Sequence, residues 1–537
     1  KKKSFMIIFL LLTLVFITCS SVDAQTELSD EIRNTLIKFK TNNIDDSNIY
    51  SLYFLNEITS FYEKNNFKPN WLKDDGFNES AVQLKEVLDN IEEEGLNPQL
   101  YRTEFLENFF NKDSLSIEEK AIADILLTNS FYLLATHFSN GVLEAENLEK
   151  EWLSAKKELN FEELFKKAVQ QKQVKSSLYS LVPQNERYHK LRNKLKFFRE
   201  IKKDGGWLKV EASQIMREGF TGEEAKQLKI RLKQSGDFSG EINEKYGENL
   251  KKAVINFQKR HGLKIDGIVG PNTLKALNRD IEEIIRTIEI NMERLRWLPH
   301  TFGNDYIFTN IADFTLQVYE NNQKALEMSV IVGKEQRSTP VFSDKLSYIV
   351  LNPYWNVPRS IAVKDKLPLI KKDINYIPEN NFTVLKFVDG KFVEQDYQEI
   401  NWNDLNKNNF NYYLRQSPGP NNALGRVKFM FPNKFSVYLH DTPDKELFKQ
   451  SERDFSSGCI RLEEPFKLAE YLLRKNDKWD LEKINSILES NEEKTIGLTQ
   501  KLPIHIIYMT AWVDEKNMLQ IRNDIYNRDA RLKSAFY

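Results

Sequence analysis

The sequence predicts a multidomain protein: an all-α front part, a small α-helical module behind it, and a mainly-β domain with a capping insertion. Three observations predict it. The chain has 537 residues, and single hydrophobic cores stop growing at about 250–300 residues. Apolar residues recur at helical spacing through the first two hundred or so positions. From Tyr306 onward the pattern changes to short runs rich in β-branched and aromatic residues, which is how strands read.

Lys1-Lys2-Lys3 precede an apolar run from Phe5 to Ile17, followed by Val22-Asp23-Ala24-Gln25. A basic start, a short apolar stretch and a small residue before a cleavage point describe a signal peptide, residues 1–24. The alternatives are lipidation of Cys19, whose neighbours Phe16 and Thr18 fit a lipobox poorly, and an uncleaved anchor, for which the run is short. Residues 25–205 form the helical domain. Phe54, Leu55, Ile58, Phe61 and Tyr62 make one apolar stripe; Leu84, Val87, Leu88 and Ile91 make a second, which Gly95 and Pro98 terminate. A third helix runs from Ile122 to His137, and all three stripes read as core.

Residues 206–280 form the small module. Leu250, Ala253, Val254 and Phe257 line one helical face, His261-Gly262 ends that helix, and Asp266-Gly267 turns the chain. Gly270-Pro271 starts the next helix, with proline at its first position, where its missing N–H does no harm. Residues 281–300 carry one more helix, Ile281 to Trp297, whose buried side is expected to return to the helical domain. Residues 301–515 carry strands at Tyr306–Ile311, Phe314–Tyr319, Met328–Val332, Ser347–Leu351, Lys428–Phe431, Phe435–His440 and Ile504–Val513. Residues 365–415 interrupt them with Asn-rich sequence and a hairpin signal at Phe387-Val388-Asp389-Gly390-Lys391-Phe392. A long insertion in a compact β domain is expected to be a lid. Residues 516–537 read as a helical tail.

Charge excludes one class of function. Removing residues 1–24, with three lysines and one aspartate, takes the formal charge from −1 to −3. A chain with no basic surplus has nothing with which to hold a polyphosphate, so no nucleic acid is expected as partner. The six histidines are scattered and form no Cys/His pattern with zinc spacing, so no metal and no cofactor is predicted.

The chemistry is expected at Cys459, one of two cysteines, the other lying in the signal segment. An exported protein that keeps a cysteine without a partner offers a nucleophile. A free thiol has a pKa of about 8.5 and reacts as thiolate, so it needs a base such as His440 nearby. Strand alternation puts Ser436, Tyr438 and His440 on one face. Gly458 lets a substrate approach the backbone closely. Main-chain N–H groups near Ser457 and Gly458 would face a tetrahedral oxyanion. Arg461 would share a face with Cys459 and hold a substrate carboxylate.

The run His440…Ser456-Ser457-Gly458-Cys459-Ile460-Arg461 resembles the active-site signature of the L,D-transpeptidases, the YkuD catalytic domain, in its large multidomain branch. Many members carry His before the Gly-Cys pair and Asn two residues after it; Ser457 and Arg461 stand there in this chain. Arg294-Leu295-Arg296-Trp297-Leu298-Pro299, Leu351-Asn352-Pro353-Tyr354-Trp355-Asn356-Val357-Pro358 and Asn422-Ala423-Leu424-Gly425-Arg426-Val427-Lys428-Phe429 are similar to the same branch. Phe257-Gln258-Lys259-Arg260-His261-Gly262-Leu263 and Asp266-Gly267-Ile268-Val269-Gly270 resemble a small peptidoglycan-binding domain.

The resemblance implies a β-sandwich-like catalytic domain with its capping insertion, a helical scaffold domain, and 3→3 cross-linking of peptidoglycan. Cys459 would be the nucleophile and His440 the acid/base, with Ser457 and Gly458 at the oxyanion and Tyr438, Arg461, Asn356 and Trp355 lining the groove. Donor and acceptor stem peptides, other cell-wall synthesis proteins and carbapenem-type β-lactams are the implied partners, and the periplasm or cell envelope the implied location. The alternatives are an L,D-carboxypeptidase of the same fold and a non-catalytic wall-binding scaffold.

Overall fold

Ser116 and Glu119 form a capping box that starts the longest helix, α1 (Ile117–Asn140). Its side chains are apolar on nearly every side, and it runs through the middle of the helical domain. It also carries the buried carboxylate of Asp124. Asp124 accepts from the main-chain N–H of Trp71 at 2.8 Å and from Tyr62 Oη at 2.6 Å, and burial pushes its pKa up to about 6. The structure, a computed structural model, describes residues 26–41, 52–73, 76–148, 152, 157–476, 478–479 and 481–536. The expected signal segment lies outside the described residues. Among the described residues no helix is long and apolar enough to cross a membrane.

Asn185 caps α2 (Glu186–Lys203). The small module keeps its own apolar core around α3 (Glu248–Arg260). Gln258 organises the following turn there, donating to Asp266 Oδ1 and the Ile268 carbonyl and accepting from the N–H groups of Asp266 and Gly267. His261 ends α3, its Nδ1 2.8 Å from the Phe257 carbonyl. Helix α4 (Ile281–Trp297) then returns to the helical domain. Its Arg296 pairs with Glu293 at 3.0 Å and donates to Tyr188 Oη at 2.8 Å, with neither charge exposed. Arg294 of the same Arg-Leu-Arg-Trp motif donates to Asp529 at 2.6 Å and so ties α4 to the C-terminal tail.

The β domain begins with β1 (Tyr306–Asn310), β2 (Thr315–Glu320), β3 (Gln323–Ile331) and β4 (Phe342–Leu351). A cap follows, with β5 (Trp355–Asn356), β6 (Phe382–Val388), β7 (Lys391–Glu394) and β8 (Tyr412–Gln416). The chain then returns through β9 (Val427–Met430), β10 (Leu439–His440), β11 (Ile460–Leu462) and β12 (Lys494–Ile507). Eight strands close into a barrel in the order β9-β10-β11-β3-β2-β1-β12-β4, so the mainly-β domain has no open edge on this ring. Strand β12 lies parallel to β1 and antiparallel to β4. Arg187 at the start of α2 reaches the β1–β2 side, lying 4.2 Å from the centroid of the Phe308 ring and donating to Tyr319 Oη at 2.9 Å. Helical domain and barrel thus share one continuous apolar core.

The cap has a sheet of its own, in the order β5-β8-β6-β7, and its own apolar cluster. The expected hairpin forms at Asp389-Gly390, both with positive φ, joining β6 to β7. The strand expected at Phe435–His440 is shorter. Asn433 accepts from the N–H groups of Phe435 and Val437 and holds a turn there, and Ser436 takes a left-handed φ of 56°. Alternation therefore places only Tyr438 and His440 together.

Candidate active site

Strands β10 and β11 run parallel, with Leu439 opposite Ile460 and His440 opposite Arg461. The Ile460 N–H donates to the Tyr438 carbonyl at 3.1 Å, which carries the register back to Tyr438 and Cys459. Leu439 and Ile460 are fully buried in the barrel. Side chains alternate along a strand and neighbouring strands lie about 4.8 Å apart. Tyr438, His440, Cys459 and Arg461 therefore stand on one outward face as two adjacent pairs, with imidazole and thiol on a diagonal.

His440 is held by its own neighbour. Its Nδ1 lies 2.5 Å from the Asp441 main-chain carbonyl. A carbonyl can only accept, so Nδ1 carries the proton and Nε2 keeps its lone pair. The Asp441 carboxylate is engaged elsewhere, accepting from the Arg426 N–H at 2.8 Å and from Lys445 at 2.7 Å. Burial, the Arg461 guanidinium and, more weakly, Lys428 and Lys445 push the imidazolium pKa down to about 3. The ring is neutral at physiological pH.

Cys459 is half-buried and unbridged. Burial pushes its thiol above the usual range, while the main-chain N–H and phenol of Tyr438, then Lys428 and Arg461, pull the other way. The sulfur also lies 3.9 Å from the Ser436 carbonyl, so the left-handed residue is turned toward it. At rest Cys459 is a thiol, and the imidazole on the diagonal from it is neutral.

The turn before Cys459 is braced from three sides. Gly458 has φ +113°, which only glycine adopts readily. Its N–H donates to Ser456 Oγ at 3.1 Å, and its carbonyl accepts from Thr339 Oγ1 at 2.9 Å. Ser457 Oγ accepts from Arg337 Nη1 at 2.9 Å. The Thr339 N–H donates to Tyr526 Oη at 3.2 Å, and Tyr526 in turn donates to the Gly333 carbonyl. The tail after β12 thus reaches the turn that supports Cys459.

Arg337 also links turn and cap. It forms a two-pronged pair with Asp365, at 2.6 and 2.9 Å, and holds that carboxyl below its usual range. On the other side Tyr438 packs against the cap's apolar cluster.

Among the residues singled out by sequence, Cys459, His440, Tyr438 and Arg461 share the face, and Ser457 and Gly458 form the turn. Arg461 donates to Asp444 at 3.0 Å. Asn356 is exposed on the cap sheet and accepts from Arg415 Nε at 3.0 Å. Trp355 is only 8% exposed and packs inside the cap core, because its face of β5 looks toward the cap helices. Arg337 and Tyr526 left no signal in the sequence. Thr339 and Lys428 stood only inside stretches similar to the family branch, Thr339-Pro340-Val341-Phe342-Ser343 and Asn422 to Phe429, and Lys428 also alternates with the core residues Val427 and Phe429.

Three family models match the chain: a scaffold domain at residues 56–195, "Putative peptidoglycan binding domain" at 221–277, and the YkuD L,D-transpeptidase catalytic domain at 304–484. The chain therefore has a three-part architecture of scaffold, peptidoglycan-binding and YkuD-type L,D-transpeptidase catalytic domains, with mainly helical front regions and a β catalytic region. A Haemophilus influenzae protein named "Putative L,D-transpeptidase" is 38% identical over 252 residues, 47% of this chain and 50% of the relative. The chain thus spans about half the length of that curated relative. A Bacillus subtilis spore cortex-lytic enzyme is 39% identical over 67 residues, 12% of this chain and 22% of that protein. A solved L,D-transpeptidase from Stackebrandtia nassauensis covers 54% of this chain and 94% of its own at 12% identity, with a TM-score of 0.21, too low to carry an argument about this fold.

Proposed function

We propose that this protein is a cysteine-dependent L,D-transpeptidase that joins peptidoglycan stem peptides by 3→3 links. The observation that carries the reading is the outward face shared by His440 and Cys459 on parallel neighbours β10 and β11, beneath a cap. His440 Nε2 takes the thiol proton as sulfur attacks the carbonyl carbon of the diamino-acid residue in a tetrapeptide stem. The oxyanion accepts from the main-chain N–H of Cys459, since the Gly458 N–H is engaged by Ser456. The carbon–nitrogen bond then breaks, and His440 hands its proton to the departing D-alanine amine, leaving a thioester. The amine of a second stem attacks that thioester, its proton passes to His440 and on to the released sulfur, and the enzyme is restored.

The charge around His440 favours the proton-donating half of this cycle. An imidazolium between Lys428 and Arg461 is a strong acid, so the proton moves on quickly to the leaving amine. The substrate lies outside the cytoplasm, so export through residues 1–24 belongs to the same proposal.

The test is incubation of purified tetrapeptide muropeptides with wild type and Cys459→Ala. Dimers with wild type and none with the variant are expected. Tripeptides alone would make the protein a carboxypeptidase, and dimers from the variant would refute the nucleophile. A carbapenem is expected to add its mass to wild type and not to Cys459→Ala.

The cap bears on the choice between amine and water, because the thioester must be shielded until the amine arrives. Asp365→Ala removes the Arg337 anchor. A half-exposed pair is worth about 0–1 kcal/mol, so a severalfold fall in the dimer-to-tripeptide ratio is expected, read by chromatography. An unchanged ratio would free the cap from this role.

A further inference from the structure

Strand β9 puts Lys428 on the reactive face. Val427 and Phe429 point into the barrel, and Lys428 lies opposite His440 in the register of β9 and β10. Lys428, His440 and Arg461 therefore form one row across three strands, with Tyr438 and Cys459 in the row beside it. Lys428 Nζ stands 4.0 Å from the centroid of the Tyr438 ring, and the phenol of that ring is near enough to the Cys459 sulfur to pull its ionisation down.

The other cations around the thiol each have a carboxylate: Arg461 has Asp444, Lys445 has Asp441 and Arg337 has Asp365. Among the described residues Lys428 forms no such pair, and Glu493 acts on it only at longer range. An ammonium partly withdrawn from water beside an aromatic face lacks compensation until an anion forms near it. On this face the sulfur is the group that becomes one.

We infer that Lys428 is the electrostatic partner of the Cys459 thiolate, acting directly on the sulfur and through the ring it covers, where a cation over the π face makes the phenol a stronger donor. This rests on the proposed role of Cys459 as nucleophile. Tyr438, His440, Arg461, Asp444, Lys445 and Glu493 complete the charged and titratable surroundings of the pair. The row then divides the labour: His440 carries the proton, and Lys428 holds the negative charge the proton leaves behind.

The experiment is alkylation of the full chain by iodoacetamide across pH 5 to 10, read by mass spectrometry at the peptide that carries Cys459, using wild type, Lys428→Met, Lys428→Gln and Lys428→Arg, with circular dichroism and thermal melting to check folding. An opposite charge within reach moves a titration by about one unit or more. Lys428→Met is therefore expected to react about tenfold more slowly at neutral pH and to match wild type only at the alkaline end. Lys428→Arg is expected to restore the wild-type profile. If Lys428→Met does not fold, Lys428→Gln gives the same reading. A neutral variant with the wild-type profile overturns the inference, as does an arginine variant as slow as the neutral one. No wall peptide is involved, so a chain that alkylates as expected but forms no dimers sinks only the transpeptidase reading. Dimers together with an unchanged alkylation profile sink only the role of Lys428.

Discussion

His440→Gln is expected to lower the rate of thioester formation by about 10²–10⁴-fold, the usual worth of a positioned acid/base. Glutamine can still donate to the Asp441 carbonyl, so the local geometry is kept while the basic nitrogen is lost. The pH dependence separates this from a folding defect. Because burial and Arg461 push the His440 imidazolium down to about 3, the ring is in its base form throughout the neutral range. Wild-type kcat/KM is therefore expected to show no acid limb between pH 6 and 7, where an unperturbed histidine would titrate, and to turn down only on the alkaline side, where ionisation of the thiol removes the proton that His440 would pass to the leaving amine. A limb near 6.5 that disappears in His440→Gln would mean that the ring is not held neutral by its surroundings.

Gly333→Ala is expected to be nearly as damaging although Gly333 has no side chain to take part in the reaction. A Cβ there would stand 2.2 Å from the Arg337 carbonyl oxygen, 2.9 Å from the Thr339 nitrogen and 3.0 Å from Gly458 Cα. Two of these are main-chain atoms of the supporting loop and the third is a main-chain atom of the residue before Cys459, so no flexible side chain can yield. Gly333 also pairs with Ser456 as an isolated parallel bridge. The methyl must push the turn outward, at a cost of about 1–3 kcal/mol, and displacing a reacting atom by about 1 Å can lose 10²-fold in rate. Melting temperature and single-turnover acylation measure the two effects. A variant with wild-type acylation would show that the turn tolerates the shift.

Much of the site was legible because its chemistry is local. Gly458-Cys459 and the alternation through Tyr438 and His440 need only a few residues of context, and Asp389-Gly390 announces its hairpin. What escaped is what depends on which strands become neighbours. Lys428 gains meaning only when β9 pairs with β10, Arg337 only when its loop meets both Ser457 and Asp365, and Tyr526 only when the tail folds back to Thr339. Alternation assigns a side chain to a face but does not say what the face meets, which is why Trp355 entered the cap core. Ser436 escaped for a different reason: its left-handed backbone comes from hydrogen bonds to Asn433, and a serine carries no mark of that.

The barrel's last stave also sets a schedule. Ile504 of β12 must find Ile307 of β1, its parallel partner, across nearly two hundred intervening residues, and the same strand seals β4. A chain growing from its N-terminus presents both flanks as raw hydrogen-bonding rims until that segment emerges, and sequence-distant pairing of this kind is slow. The interval before the seam shuts is when one unfinished copy is most apt to stitch itself to another.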